Sequence, residues 1–249
     1  MDHFNDPDSN ADVISKKVQM DQVISAKVLR LGNSARYGAG RKIASIDSAV
    51  VMLGLDALKT LVVASGVTGA FKSIPGVDKK VFWRNTFMVA NIAKLVAKRA
   101  KVDPEIAFTC GMFHNIGELL LCLHDSDKCK KINELVASGA KRIDLQENQF
   151  TVNYCQVGAE LAKRWKFPEE IQDAILLQET PDENTTYATI LYLAKYLNNA
   201  ISLGKSQEEV LSDFPIKVVK PLGVDLVALF EDVLEMMQQN DDIDELLKD

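Results

Sequence analysis

The chain has 249 residues, 47% of them hydrophobic and 26% charged, with 13 glycines and 7 prolines. That composition excludes collagen-like and low-complexity readings, and the length suffices for a core that needs neither disulfides nor metals. The net charge of −6 is concentrated at the acidic ends and leaves +5 on residues 14–230, a balance that argues against a nucleic-acid binder, whose basic charge clusters on one face.

Residues 1–10 are polar and acidic, without the basic and apolar regions of a secretory signal. The uninterrupted apolar runs, such as residues 61–64 and 119–123, fall far short of the roughly 18 residues a membrane helix needs. The expectation is a soluble, cytoplasmic protein with no membrane partner. Cys110, Cys122, Cys129 and Cys155 form no CxxC pair, so neither a zinc module nor a disulfide framework is expected. Free thiols are.

Taken in chain order, the pattern is helical throughout. Residues 23–36 place Ile24, Val28 and Leu31 on one helix face, and Gly38 is a C-cap for it. Ser45 caps a helix to about residue 53 that Gly54 ends, and residues 55–68 begin another. Pro75 and Gly76 then separate an N-terminal helical group, to about residue 72, from the rest. Residues 81–101 are apolar on nearly all sides, which predicts a helix at the centre of the fold. Asp103-Pro104-Glu105 starts a helix running to about Cys122, and Phe167-Pro168-Glu169-Glu170 separates one ending near Trp165 from one ending at Leu177. Residues 187–200 and 226–239 complete the set. No period-2 run of useful length is present, so the fold is expected to be all-α, with ten or more helices. Residues 201–249 form a C-terminal helical extension with an acidic tail. The stretch from Leu226 is amphipathic at first (Leu226, Leu229, Phe230, Val233, Leu234 and Met237) and is expected to cover the core rather than to recruit a partner.

Three stretches carry more than helix propensity. Residues 28–38 read VLRLGNSARYG, followed by IASI at 43–46 and AVVMLG at 49–54. Residues 82–86 read FWRNT and residues 107–119 read AFTCGMFHNIGEL. The third patch runs from Val157-Gly158 through Trp165 to Phe167-Pro168-Glu169-Glu170-Ile171. In this order they resemble the HDOD domain, the output-domain branch of the HD phosphohydrolase superfamily in bacterial signalling, over roughly residues 11–200. The resemblance implies an HD-like helical bundle, with a core at about residues 79–200, behind the N-terminal helical group. It further implies that the family's first helix is missing or cut here, with Met1 a late start.

The parent superfamily hydrolyses phosphate esters with one or two divalent metals held by His and Asp. Carried over residue by residue, the ligand positions fall on Asn85, His114, Asn115, Tyr154 and, after the next helix, Leu177 or Gln178. Only His114 keeps a ligand's chemistry, and Asn115 brings no charge to offset a divalent cation. His124 lies ten residues beyond His114 on the expected helix, about 15 Å away, so the two cannot share an ion. The expectation is therefore a vestigial site with no catalytic residue, metal or cofactor, in which Asn85, His114 and Asn115 form a buried polar network with Asn85 as the partner of His114. Asn33, Ser34, Tyr37 and Gly38 read as a structural cap and packing motif. Gly111 and Gly117 are expected where neighbouring helices approach closely. Cys110 and His114 share a helix face but read as core residues, not a nucleophile and its base. No GxxxxGK[ST], GxSxG, HExxH or GYP motif is present.

The resulting expectation is a non-catalytic HDOD signalling module that works by binding another signalling protein or a small ligand. With no receiver, cyclase or sensor domain recognisable, its input is expected from a partner. The alternative is a metal-dependent phosphohydrolase with an altered ligand set around His114. Nothing in these residues specifies the partner, the pathway or the oligomeric state.

Overall fold

The computed structural model describes residues 45–54, 74, 77–182, 184–212, 214 and 216–238, together with Ser15, Val18, Gln19, Val28, Leu58 and Val62. Asn33, Ser34, Tyr37 and Gly38, the helices expected at residues 23–36 and 55–68, and the acidic tail beyond residue 238 lie outside the described residues. Among the described residues there are twelve α-helices and one short 3-10 helix, and no strand. The chain divides into two units, one of residues 1–72 with 239–249 and one of residues 73–238.

In the first unit the described helix is α1 (Ile46–Leu53). The Ser45 hydroxyl accepts from the Ser48 amide at 3.1 Å and so satisfies one free donor of the first turn. Gly54 ends the helix at φ +83°, ψ 161°, a region open essentially to glycine alone. Ile46 and Ala49 face inward, and Val18, Val28 and Leu58 are also buried.

The second unit is built around α2 (Lys79–Ala100), which buries residues on almost its whole circumference from Trp83 to Ala97. Asp78 caps its start, and Lys101 ends it in the left-handed region at φ 59°. Next come α3 (Pro104–Phe113) and α4 (Ile116–His124). The single helix expected from residue 104 to 122 is therefore two helices. His114 closes α3, and the backbone at Asn115 (φ −111°, ψ 10°) is not helical, so the helix is interrupted before α4. His114 and His124 consequently lie on different helices. Residues Pro104–His124 taken together are long and apolar enough to cross a membrane, a longer run than expected, but most of it is buried in the fold.

Two outer helices follow, α5 (Ser126–Ala137) and α6 (Arg142–Phe150), neither of them expected from the sequence pattern. Helix α7 (Tyr154–Arg164) opens on a complete capping box between Asn153 and Gln156. Helix α8 (Glu169–Leu177) packs beside it, and α9 (Thr186–Ser202) packs against α8 and α2. Both close approaches expected at glycines are present. A Cβ on Gly111 would meet Ala90 Cα at 2.3 Å, and one on Gly117 would meet the Tyr154 carbonyl oxygen at 2.0 Å.

Residues 201–238 of the extension are part of this unit. After α10 (Gln207–Ser212), α11 (Ile216–Val219) and the 3-10 turn Lys220–Leu222, α12 (Leu226–Gln238) buries Leu229, Phe230 and Val233 and packs on α2 and α9. Arg99 Nε donates to Asp232 at 2.7 Å and ties α12 to the last turn of α2. This helix covers the core of its unit.

Candidate functional site

Of the ligand positions expected from the sequence, His114, Tyr154 and Gln178 come together in the second unit, beside Asn115, whereas Asn85 does not join them. His114 is buried at the α3–α4 junction, where its Nδ1 donates to the Gly111 carbonyl at 2.6 Å. A carbonyl only accepts, so the ring proton sits on Nδ1 and the lone pair is left on Nε2. Burial, reinforced by the nearby Lys195 ammonium, pushes the pKa of His114 down to about 3. The ring is neutral at physiological pH.

Asn115 turns to α2 instead. Its Nδ2 donates to Thr86 Oγ1 at 2.9 Å, and Thr86 passes its own proton to the Phe82 carbonyl at 2.8 Å. Asn85, the expected partner of His114, is exposed. The correction has a simple cause: one residue along a helix rotates the side chain by about 100°, so Thr86 faces the core where Asn85 does not.

Tyr154 and Gln178 meet over a residue that the pattern did not flag. Lys195, on α9, donates to Tyr154 Oη at 2.7 Å, to Gln178 Oε1 at 3.0 Å and to Glu179 Oε1. All three ammonium protons are thus placed. Tyr154 in turn donates to Glu179, and Gln178 Nε2 donates to the His114 carbonyl at 2.8 Å. The ammonium also lies 5.4 Å from the centre of the Tyr154 ring, within cation–π range. Burial raises the Tyr154 hydroxyl well above its usual pKa. Burial also works against the Glu179 carboxylate, but Lys195 and the Tyr154 hydroxyl outweigh it and hold that group below its usual value. Glu179 is therefore a carboxylate at neutral pH and pairs with Lys195. A sequence signal for Lys195 existed: it stands seven residues after Ala188 and four after Leu191, both buried, so α9 carries its lysine on the core-facing stripe.

The family's divalent metal can be tested against these groups. The donors on offer are one imidazole nitrogen, a neutral phenol, two amides already hydrogen-bonded and one carboxylate already paired. Among the described residues, no three His, Cys, Asp or Glu side chains gather so as to hold a metal ion. The group at the centre is itself a cation. Two unit charges about 4 Å apart repel by about 4 kcal/mol at the effective dielectric of a protein surface, and a divalent ion doubles that. The residues present do not fit the metal. Nor does Cys110 offer a nucleophile, because burial raises its thiol far above the range in which a thiolate forms.

The HDOD domain profile matches residues 1–181, close to three quarters of the chain. The chain belongs to the HDOD domain family. Among solved structures, a candidate phosphohydrolase from Shewanella amazonensis SB2B is 36% identical, with a TM-score of 0.84 over 99% of this chain and 91% of that one. An HDOD domain protein of unknown function from Geobacter sulfurreducens is 28% identical, with a TM-score of 0.81 over 99% of this chain and 89% of that one. A curated relative, an uncharacterized protein of Treponema pallidum (strain Nichols), is 26% identical over 204 residues, 80% of this chain. The match takes in only 39% of that protein, so the HDOD chain spans about two fifths of its length. The all-α fold agrees with these neighbours. The HDOD unit here thus keeps the family's architecture, while Tyr154 and Gln178, at two of the expected ligand positions, share the ammonium of Lys195.

Proposed function

We propose that this HDOD chain is a non-catalytic, cytoplasmic signalling module that acts by binding another signalling protein or a small ligand. One observation carries the reading. The acceptor atoms at the former ligand positions, Tyr154 Oη and Gln178 Oε1, are taken up by the ammonium of Lys195. Hydrolysis of a phosphate ester in this superfamily needs a cation that polarises the phosphoryl oxygens and lowers the pKa of a bound water. A hydrogen-bonded ammonium supplies no open coordination position.

The competing reading, a phosphohydrolase with its ligands rearranged around His114, is favoured by the 36% identity to the Shewanella protein named for that activity. Elemental analysis of protein purified without chelator or nickel affinity decides between them. Phosphodiesterase and phosphatase assays with added Mn2+ or Mg2+ complete the experiment. The expected outcome is no stoichiometric metal and no turnover. Bound metal with turnover that disappears in His114→Ala would install the hydrolase instead.

A further inference from the structure

Lys195 joins four parts of the second unit that otherwise have separate courses. Its ammonium reaches the first residue of α7 (Tyr154), the turn after α8 (Gln178 and Glu179) and its own helix α9. Through Gln178, whose other end donates to the His114 carbonyl, it also holds the α3–α4 junction. Gln178 is fully buried and Tyr154 nearly so. Their oxygens face a cation on one side and protein on the other, so removing the charge leaves acceptors without water to replace it.

We propose that Lys195 is a tethered cation that does in this chain the structural work a divalent ion does in a metal-bound HD site, drawing the ligand-position residues together at the cost of any metal chemistry. The inference rests on the reading of the site as one that takes no divalent ion, and goes beyond it by naming the group that replaces the ion. A lysine in the chain cannot be chelated away or diluted out. The fold around the site is thereby independent of metal supply, unlike a site whose folding free energy includes ion binding. Glu179 completes the arrangement as the counter-charge, and the Tyr154 hydroxyl is oriented between the two.

Thermal unfolding of the full chain and of four variants tests the proposal, each measured with EDTA and with MnCl2. The parent Tm should be unmoved by either addition. Lys195→Met, close in volume but uncharged, should lower Tm by about 5 °C, the size of shift expected for loss of a partly buried charged pair in a protein of this length. Lys195→Met/Glu179→Gln should recover part of that loss, because the stranded carboxylate is gone, whereas Glu179→Gln alone should lower Tm. Lys195→Arg, which keeps the charge, should stay closer to the parent than Lys195→Met, and it is the deciding variant if Lys195→Met does not fold. A Lys195→Met protein as stable as the parent, or equal losses in the Met and Arg variants, would overturn the inference and leave the binding reading standing. A parent whose Tm rises with Mn2+ would overturn both.

Discussion

At the scale of single residues, His114 decides what the site can be. It was legible in the sequence as the one ligand-type residue left, but its partner was not: the ring bonds the Gly111 carbonyl of its own helix, while Asn85 is exposed and its neighbour Thr86 bonds Asn115 instead. The buried ring gives a pH signature with a definite sign. Its pKa is about 6.5 in an unfolded chain and about 3 in the folded one. Between those values the unfolded state binds a proton that the native state does not, so stability falls as pH is lowered from about 6.5 toward 3 and is unaffected by this group above that window. The carbon-bound imidazole proton resonances of the three histidines provide the measurement. That of His114 should stay at its neutral position from pH 8 down to the acid transition. A His114 signal titrating near pH 6.5 in the folded protein would contradict the buried, neutral ring.

Lys195 and Glu179 were missed for a different reason. A lysine on a helix is usually solvent-facing, and its aliphatic stem can cross apolar surface before the head emerges. Only the stripe it shares with Ala188 and Leu191 marked it, and that stripe becomes meaningful once α7 and α8 are known to lie against it. Pairing of this kind is set by tertiary neighbours and has no local pattern.

Among the elements, the strongly apolar or well-capped helices were legible and the polar ones were not. Helix α2 advertises itself by apolar residues on every side, and α3 by Asp103-Pro104-Glu105, whose aspartate does accept from the Glu105 amide at 2.8 Å. Helices α5 and α6 bury little beyond Cys129, Ile132 and Gln146, so their periodicity is faint. The break at His114–Asn115 was hidden because neither residue is a strong helix breaker, while the glycines that are, Gly111 and Gly117, lie inside helices. Those glycines serve contact between elements rather than bending. At Gly117 the obstruction is the Tyr154 carbonyl, a backbone atom at the start of α7 that cannot yield unless the helix moves. Gly117→Ala should therefore destabilise by about 2 kcal/mol, overpacking outweighing the gain in helix propensity. Urea unfolding would show it as a lower midpoint at unchanged m. A midpoint equal to or above that of the parent would mean that α4 and α7 are not in this close contact.

For the whole molecule, the division into two units suggests where folding autonomy lies. Residues 73–238 contain a complete set of core layers: Ile92, Ala93 and Val96 from α2, Phe108 and Phe113 from α3, Ile175 from α8, Leu191 from α9, and Leu229 and Val233 from α12, all nearly or fully buried. The unit also has its own ends secured, by the Asp78 cap at the start of α2 and by the Arg99–Asp232 pair on α12. A chain of about 150 residues buries roughly 70% of its unfolded surface, enough to fold alone. Residues 73–238 produced by themselves should accordingly unfold in one cooperative thermal transition, with far-UV dichroism of a helical protein. Because Tyr154, Gln178, Glu179 and Lys195 all lie within this unit, Lys195→Met should lower the Tm of the fragment by about as much as it lowers that of the full chain, sites distant from one another being close to additive. A fragment that melts without cooperativity would show that the core of residues 73–238 depends on the rest of the chain. A cooperative fragment insensitive to Lys195→Met would instead confine the role of the ammonium to the intact protein.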